Sequence, residues 1–352
     1  MISRFFFFFV LFSLQTVSPA ILCSVIYCTI LPFFPQRILR TLAFCGVEVF
    51  VNMELHVFDF DGTIFYSPKP SARLKKTHGG NVYAKLMRPL QDNGLGWFQS
   101  LSTLSPPAVP KSPPIQDWYV TPVLRRLKEL KQRQSDALAT GASECVKIFV
   151  LTGRDEKFRS RIEELLTHAG LRDMMSAVFM KPHETYGTVK FKLETFYTLI
   201  ARNRPDHVYY YEDRAEQGQQ ILDGIRMLSH AVHPNTPESF YVYSVILEET
   251  GTVCPFSQEE KNERGPCAPA LRWWEETKRR ASPDPLSSIA PFTFTVLLVD
   301  PILAARSECS LTANAEDTLL SQLRYEREAY EFASPSEEKK KVMSCGTRYR
   351  GK

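Results

Sequence analysis

Residues 56–63 read HVFDFDGT: an apolar run that ends in two aspartates one residue apart, followed by Gly-Thr. Alternate positions of a strand share a face, so Asp59 and Asp61 are expected to start as like charges on the same side. Like charges at the tip of a buried strand cost free energy unless a cation or a protonation difference relieves them. The stretch therefore predicts a strand end where one of these two reliefs is at work, and the rest of the chain has to show which.

Working outward, strands and helices alternate. ELHVFDF (54–60), VKIFVLTGR (146–154), AVFMKP (177–182), HVYYYEDR (207–214) and SFYVYSVILEE (239–249) read as strands. TPVLRRLKELKQR, EKFRSRIEELLTHAGL, TVKFKLETFYTLIARN (after a Thr cap) and EQGQQILDGIRMLSH carry apolar residues at helical spacing. This alternation predicts an α/β fold, a Rossmann-like parallel sheet covered on both faces. Between the first two strands, SPKPSARLKKTHGG reads as loop and NVYAKLMRPL as a short helix. The Pro-rich, aromatic stretch DNGLGWFQSLSTLSPPAVPKSPPIQDWY is either an ordered irregular insert or a mobile lid. The whole cap-type insert spans about residues 66–120.

Polar residues collect at the carboxyl ends of the strands, where open α/β sheets place their sites. Asp59 and Asp61 offer a nucleophilic carboxylate and a carboxyl for acid/base work. Thr152 and the backbone of LTGR offer hydroxyl and N–H donors for phosphate oxygens, with Thr63, Gly153 and Arg154 as further substrate-binding candidates. Lys190 and Lys192 bring cations to the start of a helix. Glu212 and Asp213 are hard oxygen ligands suited to Mg2+, with Asp59 and Asp61. A metal there would let the paired carboxylates stay ionised.

DFDGT, LTGR, the KFK lysines and EDR, in this order and at strand ends, resemble the four motifs of the haloacid dehalogenase superfamily. VFDFDGTIFYSPKP, GWF…LSPPAVP…W, VLTGR, FKLETF and YYEDR look like the haloacid-dehalogenase (HAD) domain of Swiss Army Knife RNA repair proteins, over about residues 54–250. The resemblance implies a HAD-like core with Asp59 as the nucleophile that forms an aspartyl-phosphate. Asp61 would protonate the leaving oxygen and then activate water, and Thr152 would hold the phosphoryl group. Lys192 would be the third-motif lysine, with Lys190 as the alternative. Asp213 would help hold Mg2+ alongside Asp59 and the Asp61 carbonyl. Many superfamily members carry a second acid four residues after the fourth-motif aspartate, where this chain has Gln217, so Glu212 is the candidate substitute. The implied activity is that of a Mg2+-dependent phosphatase acting on a nucleic-acid end or nucleotide in RNA repair. The alternatives are a non-catalytic RNA- or protein-binding module and a membrane-tethered phosphatase.

Several residues admit a plainer role. Thr152 is also a helix N-cap candidate, and Arg154 binds substrate phosphate or pairs with Glu156 or a neighbour on the helix. Glu212 is a ligand or a surface carboxylate. Trp97, Phe98, Trp118 and Tyr119 stack on a base or pack the insert onto the sheet. The basic run from Arg125 to Arg133 reads as a solvated helix face. Trp273 and Trp274 carry no legible motif.

The 352 residues suffice for one large or two ordinary domains, and a net charge of +4 is too mild to argue for nucleic acid by itself. The 8 cysteines form no CxxC pair, which fits free thiols rather than a disulfide or zinc framework. Residues 1–52 are set apart by an uncharged stretch from Phe5 to Phe34, long enough to cross a bilayer. They read as a signal or anchor, or as a non-native extension before a start at Met53. A start at Met53 leads to a soluble intracellular protein, and retention of the leader to membrane contact or the secretory pathway. The domain is expected over 53–250, followed by a charged, partly disordered region over 251–352. Oligomeric state is left open.

Overall fold

Residues 52–139, 146–233, 240–243, 268–280, 289–299 and 311–333 are described in this computed structural model. The chain divides into two compact units between Asn52 and Met53, and every element below belongs to the second. The leader, the linker at 140–145, the strand continuation at 244–249 and the tail from Ser334 lie outside the described residues.

Strand β1 (Glu54–Phe58) forms the middle of a six-stranded sheet with β2 (Val146–Asp155), β3 (Ala177–Lys181), β4 (His207–Glu212), β5 (Phe240–Tyr243) and β6 (Thr293–Leu298). The order is β3-β2-β1-β4-β6-β5, and every pairing is parallel. A parallel sheet needs crossovers that cover both faces, so its strands are apolar on both sides. Alternate residues do part this way. Phe58, Ile148 and Val150 join Val123, Leu127 and Ile162 in one core, while Leu55, Val57, Phe149 and Leu151 join Leu193, Phe196 and Ile221 in another.

The helices that cover the sheet are α4 (Thr121–Ala139) and α5 (Arg159–His168) on the first face. On the second face lie α6 (Thr188–Asn203), α7 (Ala215–Val232) and α8 (Ala268–Arg280). Gly187 occupies the N-cap of α6, so Thr188 lies inside the helix rather than capping it.

The insert is ordered. It holds α1 (Ala72–His78), in a stretch expected to be loop, then α2 (Gly80–Met87) and, after three 3-10 turns, α3 (Ile115–Trp118). No acidic or apolar periodicity announces α1; its Leu74 is buried against Trp97 and Leu86, and tertiary packing overrides the loop-like composition. Buried arginines capture the insert's carbonyls. Arg161 donates to Leu104 O at 2.8 Å and Pro110 O at 2.6 Å, and Arg154 to Phe98 O at 3.1 Å.

A terminal helix, α9 (Ala313–Ala333), packs Leu319, Leu320 and Leu323 against the insert. Its buried Glu316 accepts from Ser71 N at 2.9 Å and Arg73 Nε at 2.8 Å. A boundary at 250 therefore cuts through the packed structure: β6 pairs with β4 inside the sheet, and Trp273 and Trp274 are core residues.

Candidate active site

The site forms where β1, β2 and β4 end. Asp59 N donates to Tyr211 O at 2.9 Å, which carries the β1–β4 ladder one residue past the strand. The chain then turns: Ile64 N and Phe65 N both donate to Phe60 O, at 3.1 and 3.0 Å. Gly62 sits in this turn at φ 74°, and a Cβ there would lie 2.2 Å from Asp213 Oδ2. Only glycine admits both the left-handed backbone and so close an approach of β4's end.

The turn separates the two aspartates. Asp59 is buried and receives Lys192 Nζ at 2.8 Å. Asp61 instead takes a two-pronged contact from Arg154, whose Nη2 and Nε donate at 2.8 and 3.1 Å. Each carboxylate thus has its own protein cation. Strand alternation failed because β1 ends at Phe58, before either aspartate.

Lys192 is buried on the inner face of α6, and its ammonium group also meets Tyr210 Oη at 2.8 Å, Glu212 Oε2 at 3.0 Å and Gln217 Oε1 at 3.1 Å. Lys190, two residues earlier, points away. It pairs with Glu276 on α8 and lies 5.7 Å from the Tyr186 ring, so it is no part of the site. A two-residue step turns a helix by about 200°, which puts the two lysines on opposite faces.

Glu212 is fully buried rather than a surface carboxylate, and it accepts from Tyr210 Oη as well as Lys192. Burial pushes its carboxyl up, but Lys192 and Arg214 outweigh that and bring it down to about 2. Burial raises Asp59, against the pull of Lys192. Burial, with Glu212 beside it, raises Asp213 to about 8. For Asp61, burial works upward and the Arg154 charge and hydrogen bonds more than reverse it.

Asp59, Glu212 and Asp213 each place a carboxylate oxygen within 4.8 Å of the others. Asp59 Oδ2 and Asp213 Oδ1 are buried without a hydrogen-bond partner, which is costly unless something else binds there. Two orphaned hard oxygens in one acidic cluster fit Mg2+. Thr63 Oγ1 is likewise buried and unpartnered, as a phosphate-oxygen donor would be. Thr152 caps no helix. Its hydroxyl donates to Asp61 Oδ2 at 3.4 Å and accepts from Arg154 N at 3.1 Å. Gly153 lets the end of β2 close on α6, since a Cβ would come within 2.9 Å of Thr188. Arg154 is only 2 % exposed; it pairs with Asp61 and donates to Phe98 O and Thr103 Oγ1 of the insert.

Trp97, Trp118 and Tyr119 are buried packing residues, with Trp97 Nε1 donating to Pro68 O at 2.7 Å. Arg214 is a site residue that motif reading passed over, although it stands inside the quoted EDR. Its half-exposed guanidinium faces Glu212 Oε1 at 3.3 Å, Asp213 Oδ1 at 3.5 Å and Asp59 Oδ2 at 3.8 Å.

A parallel α/β sheet with an aspartate, a buried lysine and an acidic pair at its strand ends defines a hydrolase core of the HAD type. The model of HAD domain family 1 in Swiss Army Knife RNA repair proteins matches residues 67–261. That is more than half of the chain, and the chain belongs to this family. The match begins after Asp59–Thr63, so the first motif stands on its own residues and geometry. No solved structure matches the chain. Among the described residues no helix is long and apolar enough to cross a membrane, and the stretch at 5–34 lies outside them.

Proposed function

We propose that the chain is a Mg2+-dependent phosphomonoester hydrolase that works through an aspartyl-phosphate on Asp59. The observation that carries this reading is the unpartnered Oδ2 of Asp59, a strand-end carboxylate whose Oδ1 Lys192 holds and which clusters with Glu212 and Asp213. Asp59 and Asp213, with Glu212 beside them, are the side chains that would hold the metal. When bound there, Mg2+ supplies positive charge for the phosphoryl oxygens.

The protein's own groups supply the rest. Lys192 keeps Asp59 ionised and oriented, so that a carboxylate oxygen of Asp59 attacks phosphorus and the bond to the leaving oxygen breaks. Thr63 and Thr152 offer hydroxyls to the phosphoryl oxygens. Asp61 hands a proton to the leaving oxygen, then takes one from the water that hydrolyses the aspartyl-phosphate and regenerates Asp59. The Arg154 pair favours ionised Asp61, which suits the second step. The first step needs the protonated form, and a substrate dianion arriving beside Asp61 favours it.

The family's description, RNA repair, supports a nucleic-acid end or nucleotide as substrate. The test is turnover of an aryl phosphate by the full chain with Mg2+ or EDTA. Metal-dependent turnover that Asp59→Asn abolishes is expected. Turnover without metal dependence, or unchanged in Asp59→Asn, would overturn the reading. A panel of RNA 3′-phosphate, RNA 5′-phosphate and nucleotides then separates the substrate classes.

A further inference from the structure

Arg214 follows the fourth-motif aspartate and begins the turn into α7. Its backbone N and its Nε both donate to Glu212 Oε1, at 3.2 and 3.3 Å, and its Nη2 donates to Gln217 Oε1. From that anchorage the guanidinium lies across the open side of the acidic trio, 3.5 Å from Asp213 Oδ1 and 3.8 Å from Asp59 Oδ2. These two oxygens are the ones left without hydrogen bonds. The arginine therefore neutralises them through space but does not satisfy them.

Arg214 also differs from its neighbours in freedom. Its side chain is 51 % exposed, whereas those of Asp59, Glu212 and Lys192 are at most 1 % exposed. Lys69, at the start of the insert, stands 3.5 Å from Asp213 Oδ2 and is 28 % exposed, so a second movable cation flanks the same carboxylate. A cation fixed by burial, Lys192, belongs to the permanent framework. A half-exposed cation at 3.5–3.8 Å, without a hydrogen bond to either orphaned oxygen, is one that can leave.

We propose that Arg214 is a displaceable counter-cation that competes with Mg2+ for Asp59 and Asp213 until a phosphate draws its guanidinium outward. Arg214 matches phosphate geometry with paired N–H donors, whereas Mg2+ prefers hard carboxylate oxygens. The exchange lets each cation take the better partner. Phosphate and metal then assist each other's binding, and by linkage the assistance is reciprocal. Gln217 has a part in this. An acid there would add a second charged contact, whereas with Gln217 the guanidinium is held by one charged contact, to Glu212 Oε1, and one neutral contact. The inference rests on the metal position of the phosphohydrolase reading.

Calorimetric titration of the full chain with Mg2+ alone, with and without inorganic phosphate, tests it in the wild type and in Arg214→Gln and Arg214→Met. Without phosphate, the variants should bind Mg2+ about ten-fold more tightly, as expected when a nearby unit charge is removed. Phosphate should improve Mg2+ affinity more in the wild type than in the variants. Unfolding midpoints without metal should fall less than in Lys192→Met, because Lys192 stays in place as the buried counter-cation of Asp59 and Glu212. Wild-type binding that neither variant improves overturns this inference alone. Failure of both variants to fold also overturns it, since it would make Arg214 structural. No Mg2+ binding by any of the proteins overturns it together with the metal reading.

Discussion

At Lys192 one ammonium group meets Asp59, Tyr210, Glu212 and Gln217, more acceptors than its three protons can serve at once. Replacing it with methionine keeps the volume but leaves Asp59 and Glu212 as buried carboxylates without their main cation. Stripping one partner from a buried pair costs about 3–5 kcal/mol. Lys192→Met should lose turnover and unfold at clearly lower urea, with the loss read from the shift in midpoint. Lys190→Met is the contrast. Its pair with Glu276 is partly exposed to solvent, and pairs near the surface contribute about 0–1 kcal/mol, so activity and midpoint should stay near wild type. Equal losses in both variants would refute the assignment. The type of residue at this position was legible in KFK, but the choice between the lysines needed the phase of α6 against the sheet. Arg214 was harder to see, because an arginine after two acids reads equally as their surface partner.

Among elements, β1 carries a group with a definite pH signature. His56 is buried between β4 residues, stacked on Tyr209 with ring centroids 4.7 Å apart, with Nδ1 3.1 Å from Tyr211 Oη and Nε2 3.0 Å from Glu54. Burial lowers it from 6.5 to about 4; the Glu54 contact pulls the other way and loses, while Arg126 and Arg133 add to the lowering. His56 is thus neutral at pH 7, and its contact with Glu54 is a hydrogen bond rather than an ion pair. The unfolded chain takes up a proton near pH 6.5 and the folded chain does not. The stability present above pH 6.5 is therefore lost as pH falls toward 4. At about 1.4 kcal/mol per pH unit the full window is worth roughly 3 kcal/mol. His56→Gln should flatten the fall in urea midpoint between pH 7 and 5, although Glu54 still weakens the protein further down, as pH drops from 4.5 toward about 2. A slope unchanged by the substitution would show that the loss arises elsewhere. The strands were legible from apolar runs and period-two alternation, whereas α1 and the 3-10 turns of the insert were not. Their order comes from distant partners, Arg154, Arg161 and Glu316, that no local pattern connects to them.

For the whole molecule, the order in which strands meet is what local reading missed. PFTFTVLLVD (291–300) has the apolar run of a strand, but nothing local gives its place, because pairing between β4 and β6 joins residues more than eighty positions apart. The consequence is a test of where the domain ends. A fragment of residues 53–250 keeps every motif yet lacks β6, which lies between β4 and β5 and buries Phe294 and Val296 in the second core. It also lacks Trp273 and Trp274 of α8, and the α9 leucines that pack on the insert. The fragment would expose β4 as a bare edge beside an uncovered apolar face, the combination that leads to aggregation. It should fail to give a cooperative urea transition and should elute from a sizing column as aggregate, while residues 53–333 unfold in one sharp step. A soluble 53–250 fragment that unfolds cooperatively and turns over aryl phosphate would mean that β6 and the helices around it decorate a sheet already complete. The pairing of β4 with β6 along six consecutive residues argues the opposite.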